Sequence, residues 1–193
     1  MSASDVEPMD WEQIWCAIYD WVQPTVNVPV IWENQNIPTP SYPYVSLNII
    51  TGPNKEGGVD ELRTSTDLSR NNGEEIELLT TDQVQFTLSI TAHSDRESLA
   101  TTPSKDPMIL ASTLQASLGR RSTLKQLTQD ADLAIVNWVG PTDVSVAFNG
   151  QWHKRYNLDI IFRSSTRCKE YIGYIDKVDI KNDNLNTRII VNG

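Results

Sequence analysis

In the stretch VQFTLSITA, Val84, Phe86, Leu88, Ile90 and Ala92 alternate with Gln85, Thr87, Ser89 and Thr91. A period of two sends successive side chains to opposite faces, so this is a β-strand with one apolar and one polar face. An all-helical fold is excluded. The polar set carries no charge, which suits a face that meets protein or a crowded lumen better than open water. The apolar set needs a covering layer, and the rest of the chain must supply it.

Two helical segments can do so. In DWEQIWCAIYDWVQP, Trp11, Ile14, Trp15, Ile18 and Val22 share one stripe, widened by Trp21. Asp10 is the expected N-cap and Pro24 the expected end. DPMILASTLQASLG has Asp106 as N-cap, Pro107 in the first turn, a stripe of Leu110, Leu114 and Leu118, and Gly119 as a stop. STLKQLTQDA reads as a short extra helix.

The other segments read as strands and connections. Val28–Asn34 is β-like, and Pro38, Pro40 and Pro43 then force an extended connection. In YVSLNII, Val45, Leu47 and Ile49 face one way, while Tyr44, Ser46 and Asn48 face the other. The polar stretch from Thr51 to about Asn72 reads as a long loop with a short irregular strand near Val59 to Leu62. A second loop is expected from Ser94 to Lys105. DLAIVNWVG has strand length. Val144, Val146 and Phe148 alternate towards Asn149-Gly150, and Tyr156, Leu158, Ile160 and Phe162 alternate away from it. A two-residue turn there would put these apolar sets on opposite faces, so the pattern predicts a bulge at Gly150. RSSTRCKE reads as a loop, YIGYIDKVDI as a strand, KNDNLN as a turn and TRIIVNG as a final strand. The whole is α+β: one twisted, mostly antiparallel sheet with helices packed on one face and long loops.

The 193 residues carry a formal net charge of −9. That argues against a duplex-coating protein, which needs surplus Lys and Arg to displace counterions. It equally argues against an anionic membrane surface. No basic-then-apolar leader opens the chain, and no apolar run nears the roughly 18 residues of a membrane span. The expectation is a soluble protein made and kept in a cytoplasm.

Chemistry-bearing motifs are sparse. The two cysteines, Cys16 and Cys168, read as reduced thiols. The two histidines, His93 and His153, lie far apart and lack zinc-ligand spacing. His153 is out of phase with Trp152 and Tyr156, so it should point away from the core. No serine or cysteine sits in a nucleophile motif. TGPNKEGG lacks the order of a phosphate loop. The basic spots HKR and Arg120-Arg121 fit salt bridges across a protein contact better than a nucleic-acid footprint. No cofactor, metal or catalytic residue is implied.

The segment order resembles the neck or tail terminator proteins of long-tailed phages, a family of ring-forming tail-completion proteins. Three places carry the likeness. One is the Trp-rich first helix leading into VIWENQNIPTPSYPYVSLNI. Another comprises DPMILASTLQASLG and DLAIVNWVG. The third is RYNLDIIFRSSTRCKEYIGYIDKVDI, where Arg155, Asp159, Ile175 and Val178 fit the family's pattern of an arginine, an aspartate in an alternating strand, and an I-x-x-V strand.

The resemblance implies a non-enzymatic virion protein, a single domain over 1–193 assembled in the host cytoplasm. It would form a ring, commonly a hexamer, on the last layer of the tail tube. There it would stop tube growth and meet the tail tube protein, the head-side connector, and the sheath where the tail has one. DNA would pass through the lumen without specific binding, and an acidic lumen would ease its passage. Residues 1–9 would be a loose tail and 187–193 a candidate arm for a neighbouring subunit. Interface candidates are Tyr42, Arg63, Arg70 and Arg155. Alternatives are a head–tail connector adaptor, a tail tube protein or, in another class, a small hydrolase. The hydrolase would need the fold to bring His93 or His153 to a nucleophile or carboxylate.

Overall fold

The computed structural model describes residues 5–33, 35, 38–55, 61–66, 75–148, 150–173, 177–182 and 187–192. The fold is α+β, with helices on a mostly antiparallel sheet. The chain forms two compact units. One comprises Met9–Glu56 and Gln83–Ser165; the other comprises Met1–Pro8, Gly57–Asp82 and Thr166–Gly193.

Among the described residues, the larger unit holds four α-helices: α1 (Trp11–Val26), α2 (Arg96–Thr101), α3 (Pro107–Leu118) and α4 (Arg121–Ala131). Its strands are β2 (Val30–Trp32), β3 (Tyr44–Lys55), β6 (Ala134–Asp143), β7 (Val146–Phe148) and parts of β5 (Glu75–Ser94) and β8 (Gln151–Gly173). The sheet order is β6–β8–β5–β3–β2, and β7 also pairs with β8. The β2–β3 pair is parallel.

The apolar faces are those the alternation requires. Val84, Phe86, Leu88, Ile90 and Ala92 of β5, Val45 and Leu47 of β3, and Leu158, Ile160 and Phe162 of β8 are buried. They form one core with Ile14, Ile18, Trp21 and Val22 of α1, Leu110, Leu114 and Leu118 of α3, and Leu127 of α4. Phe86 stacks on Phe162 at 5.6 Å and takes the edge of Trp11 at 5.3 Å. The buried Trp21 indole donates to Ser117 Oγ at 3.0 Å, so its polar atom is satisfied inside the core.

The helix starts are local in origin. Asp10 accepts from Gln13 N at 3.0 Å, and Asp106 accepts from Met108 N at 2.9 Å with Pro107 in the first turn. Pro24 does not end α1. It sits in the last turn, and the stop is Asn27 in the left-handed conformation at φ 50°. Trp15 leaves the expected stripe: it is 45% exposed and packs beside Trp32, with ring centroids 6.2 Å apart. Ala17 takes a core place instead.

The predicted bulge at Gly150 is absent. Phe148 pairs with Gln151 and Val146 with His153, so only residues 149 and 150 lie between the strands, with Gly150 at φ +75°. The premise fails because Val144, Val146 and Trp152 are all exposed and need not share a buried face. Register shifts occur in β3, between Ile49 and Thr51 and between Thr51 and Asn54, and in β6, between Ile135 and Asn137 and between Val139 and Thr142. Gly140 stands at the last of these with φ +111°, where a Cβ would lie 2.6 Å from Asn157 O.

Segments read as loops are partly ordered. The Ser94–Lys105 stretch holds α2, capped by Asp95, and a 3₁₀ turn at Pro103–Lys105. Thr51–Lys55 continues β3, and RSSTRCKE lies inside β8. Both cysteines are free thiols.

In the smaller unit, β1 (Asp5–Glu7), within the segment read as a loose tail, pairs with Arg167–Lys169 of β8. Strand β4 (Glu61–Thr66) pairs with Ile76–Thr81 of β5. Strands β9 (Lys177–Asn182) and β10 (Thr187–Asn192) form an antiparallel pair, so the candidate arm pairs within its own chain.

Candidate functional site

The side of the sheet opposite the core carries the chemistry. Register aligns Tyr44 with His93, Ser46 with Thr91, and Asn48 with Ser89. On β8 the matching parity gives His153, Arg155, Asn157 and Asp159. Ser89 and Thr91 donate to Asn157 Oδ1 at 2.8 and 3.0 Å, and Asn157 Nδ2 donates to Asp159 Oδ1 at 2.8 Å. The amide is thus oriented by three partners and ties β5 to β8 through side chains.

A ladder of rings adjoins this node. His93 stacks on Tyr44 at 4.5 Å, Tyr44 lies 5.4 Å from Tyr42, and Tyr42 lies 5.7 Å from His153. Tyr42 Oη and His153 Nδ1 are 3.2 Å apart, within hydrogen-bonding reach. Burial first, and the Arg155 guanidinium second, push the His93 imidazole from 6.5 down to about 4. Burial is also the main cause that raises the Tyr44 phenol above its usual 10.0, against the opposing pull of Arg155.

His93 does meet both a hydroxyl and, through it, a carboxylate. Ser46 Oγ donates to Glu33 Oε1 at 2.7 Å and lies 2.8 Å from His93 Nε2. A hydroxyl has one proton. With that proton on the Glu33 side, the imidazole must donate through Nε2–H, and Nδ1 keeps its lone pair. That Nδ1 is buried without a hydrogen-bond partner among the described residues. Nucleophilic catalysis needs the reverse order: serine donates to imidazole, and a carboxylate orients the far nitrogen. Ser46 is also only 3% exposed, in a strand paired on both sides. The chemistry is that of a structural hydrogen-bond chain beside a hollow of about 310 Å³, lined by Tyr44, Ser46, His93 and Glu33 among others.

Two of the four interface candidates belong to this face. Tyr42 closes the ladder from the Pro-bearing connection, and Arg155 acts electrostatically on His93 and Tyr44. Arg63 lies on β4 opposite Leu79. Arg70 is outside the described residues. His153 points away from the core, as its phase requires. Its neighbour Lys154 turns to the other side and pairs with Asp106 at 2.6 Å, the residue that caps α3. That part of the HKR triplet serves the chain's own fold.

Glu33, Tyr44 and Ser46 were not singled out from sequence. The parity of YVSLNII places Tyr44 and Ser46 on the polar face, but their meeting with His93 depends on β3–β5 register. Among the described residues no three His, Cys, Asp or Glu side chains gather as a metal site. No helix there is long and apolar enough to cross a membrane.

No curated protein matches the chain. A family model described as phage neck terminator protein matches residues 12–187 of the 193.

Proposed function

We propose, from the premise that this chain belongs to the phage neck terminator family, that it forms a closed ring at the head-proximal end of the tail. Membership in a structural family of the phage neck is the observation that carries the reading. The ring, commonly of six copies, ends growth of the tail tube. It joins the tube to the head-side connector, and meets a sheath where the tail has one. The uncharged polar side chains of β5 suit such a role, because they can meet protein without the desolvation cost of buried charge. Tyr42 and Arg155 are the proposed contact residues of the larger unit; Arg63 and Arg70 are those of the smaller. A net charge of −9 per copy supports a lumen that lets DNA pass without holding it.

Light scattering over a range of protein concentrations, followed by negative-stain images, tests the reading. Short rings whose mass stays constant are expected. Filaments would make the chain a tube protein, and a monomer that adds only to portal rings would make it a connector adaptor. The Ser46–His93 contact is the one observation favouring a hydrolase. Ester hydrolysis by the wild-type protein that disappears in Ser46→Ala would establish that alternative; none is expected.

A further inference from the structure

The two ends of the sheet in the larger unit differ. At one end stands β6, paired among the described residues with β8 alone. Along it Val136, Trp138 and Val139 are 43%, 43% and 60% exposed. Edge strands of soluble monomers are normally covered or charged, so a bare edge with three large apolar side chains marks a contact surface.

At the other end stands β2, with exposed Trp15 of α1 beside it. Trp15, Trp32, Leu47 and Ile49, with Glu33, line a hollow of about 250 Å³. One edge therefore projects apolar groups and the opposite edge offers an apolar recess.

Charge also differs between the helix beside β2 and the helix that leads into β6, which are neighbours in the helix layer. No Lys or Arg precedes Lys55, and Asp10, Glu12, Asp20 and Glu33 are exposed on or beside α1 and β2. At the start of α4, the helix that leads into β6, Arg120, Arg121 and Lys125 are exposed; Asp130 and Asp132 lie at its far end. Complementary but non-identical surfaces at opposite ends are what a head-to-tail contact requires. Such a contact closes into a ring when the rotation permits.

We propose that the β6 edge of one copy docks on the α1–β2 edge of the next, with Trp138 and Val139 seated against the recess walled by Trp15 and Trp32. This inference rests on the ring reading and assigns its subunit contact. Basic residues at the start of α4 then face the acidic edge of the neighbour.

The test uses Val139→Asp and Trp15→Asp in the full chain, with folding checked by far-ultraviolet circular dichroism. Where either aspartate variant loses its fold, Val139→Ser and Trp15→Ser replace the pair, with at least a tenfold weaker assembly expected. Each aspartate variant alone should sediment at one protomer's mass. Mixed, they should form a one-to-one dimer, because each retains the edge the other has lost. Rings of wild-type mass formed by both variants would overturn the proposed contact and leave the ring reading standing. A wild-type monomer at every concentration would overturn both. A Val139→Asp monomer alongside a Trp15→Asp dimer would make the contact symmetric and overturn the proposal as well.

Discussion

His93 concentrates the electrostatics of the polar face. It is 7% exposed, and its imidazole is held near 4 by burial and by Arg155. Above pH 6.5 both folded and unfolded chains carry it neutral. As pH falls from 6.5 towards 4, the unfolded chain gains a proton that the folded chain refuses, so stability drops. Below 4 the loss levels off. The expected loss through this residue is on the order of 3 kcal/mol. His93→Gln keeps a donor for Ser46 and removes the titration. Urea unfolding at pH 7, 5.5 and 4.5 should show the wild type losing ground to the variant as pH falls; parallel curves would refute the assignment. The phase of His153 was legible in sequence. The partners of the two histidines were not, because 47 residues separate Ser46 from His93 and 111 separate Tyr42 from His153.

At the scale of elements, local signals proved the most readable. Asp106 and Pro107 announce α3, and the structure adds a second duty for Asp106 in holding Lys154. The cap should outweigh the ion pair. Asp106→Ala should cost about 1–2 kcal/mol through the lost cap. Lys154→Ala should cost below about 1 kcal/mol, because the pair is partly exposed and screened. Asp106→Asn keeps a capping oxygen and should resemble the lysine variant. Chemical denaturation of the three variants checks the order, and equal losses in all of them would show that the ion pair dominates. Strand ends were less readable. RSSTRCKE has a loop's polar composition yet continues β8, because strand pairing supplies backbone partners that composition does not reveal.

At the scale of the whole molecule, net charge and family membership point the same way. In the proposed ring, copies that each carry −9 should not retain duplex DNA. Mobility-shift assays from about 50 to 200 mM salt should show no retarded band. Retention that weakens steeply with added salt would mean a Lys- and Arg-lined channel, and the acidic-lumen reading would be wrong.

The amino-acid order alone determined the class of fold, the core faces of the main strands, the helix caps and the direction of His153. These follow from a period of two or 3.6 and from bonds a few residues long, which are local quantities. Tertiary structure decided the sheet order, the two compact units, the hairpin register and the Tyr–His ladder. It also decided that Trp15 and Trp138 stand exposed. Those outcomes depend on which distant strands pair and in what register, and many pairings can satisfy the same local pattern.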